Sequence, residues 1–129
     1  MKYLLDTHIF LWFITDNKKL NQSVKYLLEG EHELFLSAGS LWEIAIKQSL
    51  EQLIISAPYE GFINYHLKVN HINILDIKTT HLTQVIDLPF HHQNPFDRLL
   101  IAQSMVEETP IISSNDTFNL YPVKRIYDI

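Results

Sequence analysis

Cysteine does not occur in this 129-residue chain, so disulfide scaffolds, thiolate zinc sites, iron–sulfur clusters and cysteine nucleophiles all fall away. Glycine occurs 3 times, at Gly30, Gly39 and Gly61, which is too sparse for a glycine-rich phosphate loop and disfavours dinucleotide or ATP binding of that kind. Positive charge is scarce as well. Against 15 Asp and Glu stand 10 Lys and Arg, and the net charge of −5 supplies no broad field for holding nucleic acid regardless of sequence. Long apolar runs are missing: Asp6, Thr7 and His8 interrupt the opening Met-Lys-Tyr-Leu-Leu, and the stretch from Ile9 to Ile14 is far too short to span a bilayer. The expectation is a cytoplasmic, soluble chain with no membrane partner.

Apolar material is plentiful, at 47% hydrophobic and 12% aromatic residues, enough for one closed core. A compact chain of this length has a radius of gyration of roughly 14 Å, which leaves no room for a second core. One domain over residues 1–129 is expected, with any site built inside it.

Strand and helix patterns alternate along the chain. Lys2 to Leu5 reads as a strand running into a helix from His8 to Thr15, and Leu20, Val24, Leu27 and Leu28 mark a second helix closed by Gly30 as a C′ residue. Glu33 to Ser37 suits a strand buried on both faces, followed by helix from Ala38 to Leu50. Tyr59 to Val69 reads as helix, Ile72 to Ile77 as strand and Thr79 to Leu88 as helix. After a loop between Pro89 and Pro95 a strong helix runs to Glu108; Ile111-Ile112 and Val123 to Ile126 are short strands flanking a turn or short helix from Asp116 to Tyr121. This order predicts an α/β fold of three layers, with a mostly parallel central sheet covered by helices on both faces.

In such sheets ligands sit beyond the carboxyl ends of the strands, and the residues there are acidic. Asp6 follows the first strand, Glu43 lies in the helix after the second, Asp97 opens the late long helix and Asp116 follows Ile111-Ile112. Each acid also has a local explanation. Asn94-Pro95-Phe96-Asp97 fits a helix start with Asn94 as N-cap, Pro95 at N1 and Asp97 at N3. Ser40 to Glu43 matches a capping box, unless the helix starts nearer Ser37. Asp116 can close an Asx-turn. Asp6 is harder to explain locally, because a carboxylate at the sheet centre is costly without a partner and no basic residue lies close in sequence. A divalent cation would account for all four acids together, and an all-oxygen donor set without cysteine favours Mg²⁺, with Mn²⁺ as substitute, over zinc. The matching chemistry is in-line hydrolysis of a phosphodiester by an activated water.

The residues resemble the PIN domains, and within them the VapC-like ribonuclease toxins of toxin–antitoxin pairs. The resemblance spans nearly the whole chain and rests on Leu4-Leu5-Asp6-Thr7-His8, on Ser37-Ala38-Gly39-Ser40-Leu41-Trp42-Glu43-Ile44-Ala45-Ile46-Lys47, on Pro95-Phe96-Asp97-Arg98-Leu99-Leu100-Ile101-Ala102-Gln103, and on Ser113-Ser114-Asn115-Asp116 with Phe118 and Tyr121. It implies that Asp6, Glu43, Asp97 and Asp116 form an acidic metal site, with Asp6, Asp97 and Asp116 as ligands and Thr7 and Ser114 in support. It also implies Mg²⁺- or Mn²⁺-dependent cleavage of RNA, a homodimer, and a small antitoxin that covers the site. Relatives commonly carry Asp where this chain has Asn94, which leaves one negative charge fewer beside the cluster.

Other signals are weaker. Trp12, Phe13, Tyr26 and Leu27 supply apolar surface on the first two helices, for a partner or for ordinary packing. Lys47 and Arg98, with His91 and His92, are candidates to contact substrate phosphate; the histidines otherwise read as solvated, with no His-Glu-x-x-His motif. Trp42, Phe62, Tyr65 and Phe96 sit at helical spacing that suits core packing. Two other functions compete with the nuclease reading. One is a PIN-fold interaction module with weak catalysis; the other is a metal-dependent phosphatase of the haloacid-dehalogenase kind, which would want a second Asp where His8 stands.

Overall fold

The computed structural model describes residues 1–55 and 57–127. Its strands are β1 (Lys2–Leu5), β2 (Glu33–Ser37), β3 (Ile72–Leu75), β4 (Ile111–Ile112) and β5 (Arg125–Ile126). The helices are α1 (Thr7–Ile14), α2 (Gln22–Glu29), α3 (Ala38–Ser49), α4 (Tyr59–Val69), α5 (Thr79–Asp87) and α6 (Pro95–Glu107), with a 3-10 turn over Asp116–Leu120.

All strand pairings are parallel, in the order β3-β2-β1-β4-β5. The chain builds outward from β1 through β2 to β3 and then returns to lay β4 and β5 on the other side. The sheet therefore reverses its direction of growth between β1 and β4, where the following loops diverge and leave a crevice.

The alternation of side chains along each strand divides the core into two layers. Tyr3, Leu5, Leu34, Leu36 and Ile112 face α1 to α4 and pack with Ile9, Phe10, Val24, Ile44 and Ile63. Leu4 and Ile111 face the other way and pack with Leu100, Ile101 and Ala102 of α6, beside Phe118 and Tyr121. The expected three-layer α/β/α arrangement is present, with a sheet that is parallel throughout.

Several local expectations change. Gly30 ends α2 with extended backbone (φ −78°, ψ −177°) and makes no use of glycine's left-handed freedom. Left-handed backbone after a helix falls instead to non-glycine residues: Asp16 after α1 (φ 51°), Glu51 after α3 (φ 57°), His71 after α4 (φ 52°) and Glu108 after α6 (φ 50°, ψ 44°). β3 ends at Leu75, short of Ile77, and β5 covers two residues. Trp42 and Tyr65 are 63% and 61% exposed, so helical spacing does not place them in the core; the Trp42 ring meets Phe96 edge-on at 5.4 Å near the surface. His81 is fully buried, its Nε2 2.8 Å from Glu107 Oε2 and its Nδ1 accepting from the Lys78 amide, which ties α5 to α6.

Candidate active site

Asp6 leaves β1 at the crevice between β1 and β4 and is buried. Its backbone amide donates to the Ile112 carbonyl, which extends the β1–β4 ladder to the site itself. Although it stands at the N-cap position of α1, its carboxylate caps nothing there. Oδ2 instead accepts a 2.7 Å hydrogen bond from Ser113 Oγ, the first residue after β4. Burial raises the Asp6 pKa; the Ser113 bond, His8 and the Thr7 amide oppose that rise, and Glu43 adds to it.

Glu43 is buried within α3. The helix begins at Ala38, with Ser37 as N-cap accepting from the Gly39 amide at 3.0 Å, so Glu43 is an interior residue and no capping box forms from Ser40. Ser40 Oγ instead accepts from Thr7 Oγ1 at 2.9 Å, a buried bond that ties the start of α1 to the start of α3. The Glu43 carboxylate carries Lys47 one turn on, with Nζ 3.3 Å from Oε2.

Asp97 lies in the first turn of α6. Asn94 caps that helix, its Oδ1 accepting from the Phe96 and Asp97 amides at 2.9 and 3.2 Å. Capping is thus done by Asn94, and the Asp97 carboxylate is free to face the cluster. Burial, then Asp6, then Glu43 push the Asp97 pKa from 3.8 up to about 7, with Lys47 pulling the other way. α3 and α6 approach closely at Gly39, where an added Cβ would stand 2.5 Å from Leu99 Cδ2. The lack of a side chain at this position lets the helix of Glu43 lie against the helix of Asp97.

Asp6, Glu43 and Asp97 therefore share one electrostatic environment, though they come from three distant stretches of chain. Asp116 opens the 3-10 turn on the same edge but is exposed, and its charge is not among those that shift Asp6 or Asp97. The local turn is closed by Asn115, whose Oδ1 accepts from Thr117 N at 3.0 Å, so the Asx-turn expected of Asp116 belongs to its neighbour. Ser114 is exposed; the hydroxyl on the cluster is that of Ser113, which also accepts from the Asn115 amide at 3.0 Å.

Arg98 does not point at the acids as a phosphate contact would. It is buried, with Nη1 donating to Pro89 O at 2.9 Å and Nη2 to the carbonyls of Val85 and Leu88, both at 3.2 Å. Its guanidinium also lies 3.9 Å from the centre of the Phe90 ring. Its work is to satisfy carbonyls at the end of α5 and to pin the loop that delivers Asn94 and Asp97. His91 is exposed, but His92 is half-buried against Phe118 and Tyr121, contrary to the solvated loop expected. Read from the sequence, Ser113 and Ser40 had no role at the site, and His92 only that of a phosphate contact; Ser113 was open to the same rule that found Asp6, being the residue directly after a strand.

Among the described residues, no three His, Cys, Asp or Glu side chains stand close enough to cage an ion by themselves. Mg²⁺ seldom asks for such a cage, since it keeps several waters and takes one or two carboxylates. Two desolvated carboxylates, the charge of Asp6 raising the pKa of Asp97, match a hard divalent cation in charge and chemistry.

The protein comparisons agree with this architecture. Solved structures that share the fold include VapBC2 from Rickettsia felis bound to a promoter DNA fragment (TM-score 0.75, 16% identity, 99% of this chain and 100% of that one), VapBC-1 from nontypeable Haemophilus influenzae (0.66, 16%, 98% and 98%), and FitAcB from Neisseria gonorrhoeae (0.68, 14%, 96% and 96%). No curated protein matches the chain in sequence. The PIN domain model matches residues 3–124, from the second residue of β1 to the residue before β5, and takes in all four acids. With its parallel sheet and the acids at its carboxyl edge, the chain belongs to the PIN domain family.

Proposed function

We propose that this protein is a metal-dependent endoribonuclease and the toxin of a toxin–antitoxin pair. The observation that carries the reading is the meeting of Asp6, Glu43 and Asp97 at the β1–β4 crevice, with burial first, and then Asp6 and Glu43, raising the Asp97 pKa to about 7. Support comes from structural neighbours that include VapBC and FitAB complexes and a toxin–antitoxin complex from Klebsiella pneumoniae.

Asp6 and Asp97 would hold Mg²⁺, or Mn²⁺ in its place, with Asp116 joining from the 3-10 turn. The ion supplies Lewis-acid polarisation of the phosphate and activation of water. Ser113 fixes one oxygen of Asp6, and Thr7 with Ser40 fixes the entry to α1, so the carboxylate is oriented in advance. Glu43, held by Lys47, stands where it can orient the attacking water and receive its proton. Lys47, partly exposed beside the acids, is positioned to meet a phosphate and offset the negative edge.

An antitoxin partner is the second element of the reading. A cavity of about 440 Å³, lined by His8, Leu11, Trp12, Lys47, Leu53 and Phe62 among others, opens beside the acidic edge and offers a largely apolar seat for a peptide segment. Among the described residues, no helix is long and apolar enough to cross a membrane.

The deciding experiment is RNA cleavage by purified protein with and without Mg²⁺ or Mn²⁺, with Asp6→Asn alongside. Wild type should cut only with metal and Asp6→Asn should not cut, while its metal-free form melts at the same or a slightly higher temperature because charge repulsion falls. Equal cleavage by both proteins would remove the site from this role.

A further inference from the structure

The loop between α5 and α6 brings one more polar side chain to the acidic edge. His92 Nε2 lies 3.7 Å from Asp97 Oδ2, is sealed from solvent and makes no hydrogen bond. A buried polar nitrogen without a partner is uncommon enough to call for an explanation. The ring is held by its packing on Phe118 and Tyr121, at centroid distances of 5.8 and 5.5 Å.

The bonding around Tyr121 decides which ring nitrogen carries the proton. The Tyr121 oxygen accepts from the backbone amides of His91 and His92, at 3.1 and 3.3 Å, which uses both of its lone pairs. Its single proton is within reach of Pro89 O at 3.0 Å and of His92 Nδ1 at 3.2 Å. Pro89 O is already served by Arg98 Nη1, whereas His92 Nδ1 has no other donor. Giving the phenol proton to Nδ1 pairs Nδ1, the phenol and Pro89 O, and leaves the ring's own proton on Nε2, the nitrogen that faces Asp97.

We propose that His92 is a positioning residue for Asp97: its Nε2–H takes hold of Oδ2 and turns the carboxylate so that its other oxygen is presented to the cation. The proposal rests on the metal-dependent reading of the site. Tyr121, which accepts both loop amides and anchors Nδ1, fixes the donor from behind. The 3.7 Å separation is longer than a hydrogen bond, so a small side-chain movement closes the contact when the carboxylate is drawn into a coordination sphere. Partners that orient a ligand from behind in this way are typically worth about 10- to 100-fold in metal affinity.

The test is a calorimetric titration of metal-free protein with Mn²⁺, in buffer alkaline enough for Asp97 to be ionised, so that the readout does not depend on RNA cleavage. His92→Phe keeps an aromatic ring against Phe118 and Tyr121 but has no donor, and should weaken Mn²⁺ binding about tenfold or more. His92→Gln reaches the same point with an amide N–H and should stay within about threefold of wild type. Should His92→Phe not fold, His92→Met, which matches Gln in shape without the donor, carries the same comparison. Wild-type affinity in the donorless variant, or equal weakening in Gln and in Phe or Met, overturns the proposal. Asp97→Asn run in parallel separates the two claims: its loss of binding alongside full affinity in His92→Phe removes only the role of His92, and a wild type that binds no Mn²⁺ removes the metal site and His92's role together.

Discussion

At Asp97 burial, Asp6, Glu43 and Lys47 all act on one carboxyl group, and burial outweighs the rest. Its pKa of about 7 in the folded chain, against 3.8 ordinarily, means that the folded protein keeps a proton over an interval where the unfolded chain has released it. Stability must then fall as pH rises through that interval and level off above pH 7. Asp6 is shifted the same way. Metal-free wild type should therefore lose melting temperature between about pH 4 and 7 relative to Asp97→Asn, in which this proton is absent; matching profiles from thermal denaturation across that range would contradict the shift. A divalent ion must displace the same proton, so the rise in melting temperature it produces should be small near pH 6, larger near pH 8, and blunted in Asp97→Asn.

Among the secondary-structure elements, the α5–α6 loop and the α3–α6 contact set the site. Arg98 satisfies three carbonyls at the first of these with a planar fork that an ammonium cannot reproduce. Arg98→Lys should cost about 1–3 kcal/mol in urea denaturation, from carbonyls left under-satisfied. RNA binding by the same variant should be unchanged at temperatures where it is folded, and a selective loss of RNA affinity without loss of stability would return Arg98 to the phosphate. At the second contact Gly39→Val drives methyl groups toward Leu99 and should destabilise by about 1–3 kcal/mol. It should also reduce the Mn²⁺-induced rise in melting temperature, because the helices of Glu43 and Asp97 are forced apart. The elements themselves were well marked in the sequence, since apolar periodicity, the Asn94-Pro95 start and the short β-branched runs are local signals. Their ends were less so. Gly30 offered a left-handed stop, but the chain takes that conformation at non-glycine residues after four other helices, Glu108 among them, where Thr109 N reaches Ser104 O at 3.0 Å to close α6.

For the whole molecule the question is what covers the remaining apolar surface. Leu82 and Ile86, one turn apart on α5, are 49% and 80% exposed, and Phe90 beyond the helix is 75% exposed. Exposed apolar side chains at neighbouring helical positions are the kind of surface that interfaces cover. A homodimer through α5 would cover this row, and it predicts that sedimentation shows wild type self-associating and Ile86→Asp shifted toward monomer with its melting profile retained. A wild type that stays monomeric at high concentration would leave this face to another partner.

The sequence alone determined the parallel layered architecture and the placement of acids beyond strand ends, because both follow from neighbours a few residues apart: apolar alternation, caps, and a charged residue just after an apolar run. Asp6, Glu43 and Asp97 were legible for that reason. Only the tertiary structure decided which polar side chains serve them. Ser113 meets Asp6 across 107 positions of chain, and Arg98 turns back to the end of α5 rather than outward to solvent. Trp42, spaced like a core residue, is exposed because α3 buries its opposite side, through Ile44, against the sheet. Hydrogen bonds and burial between distant segments depend on how layers stack, and a side chain carries no mark of a partner it meets only once the sheet has closed.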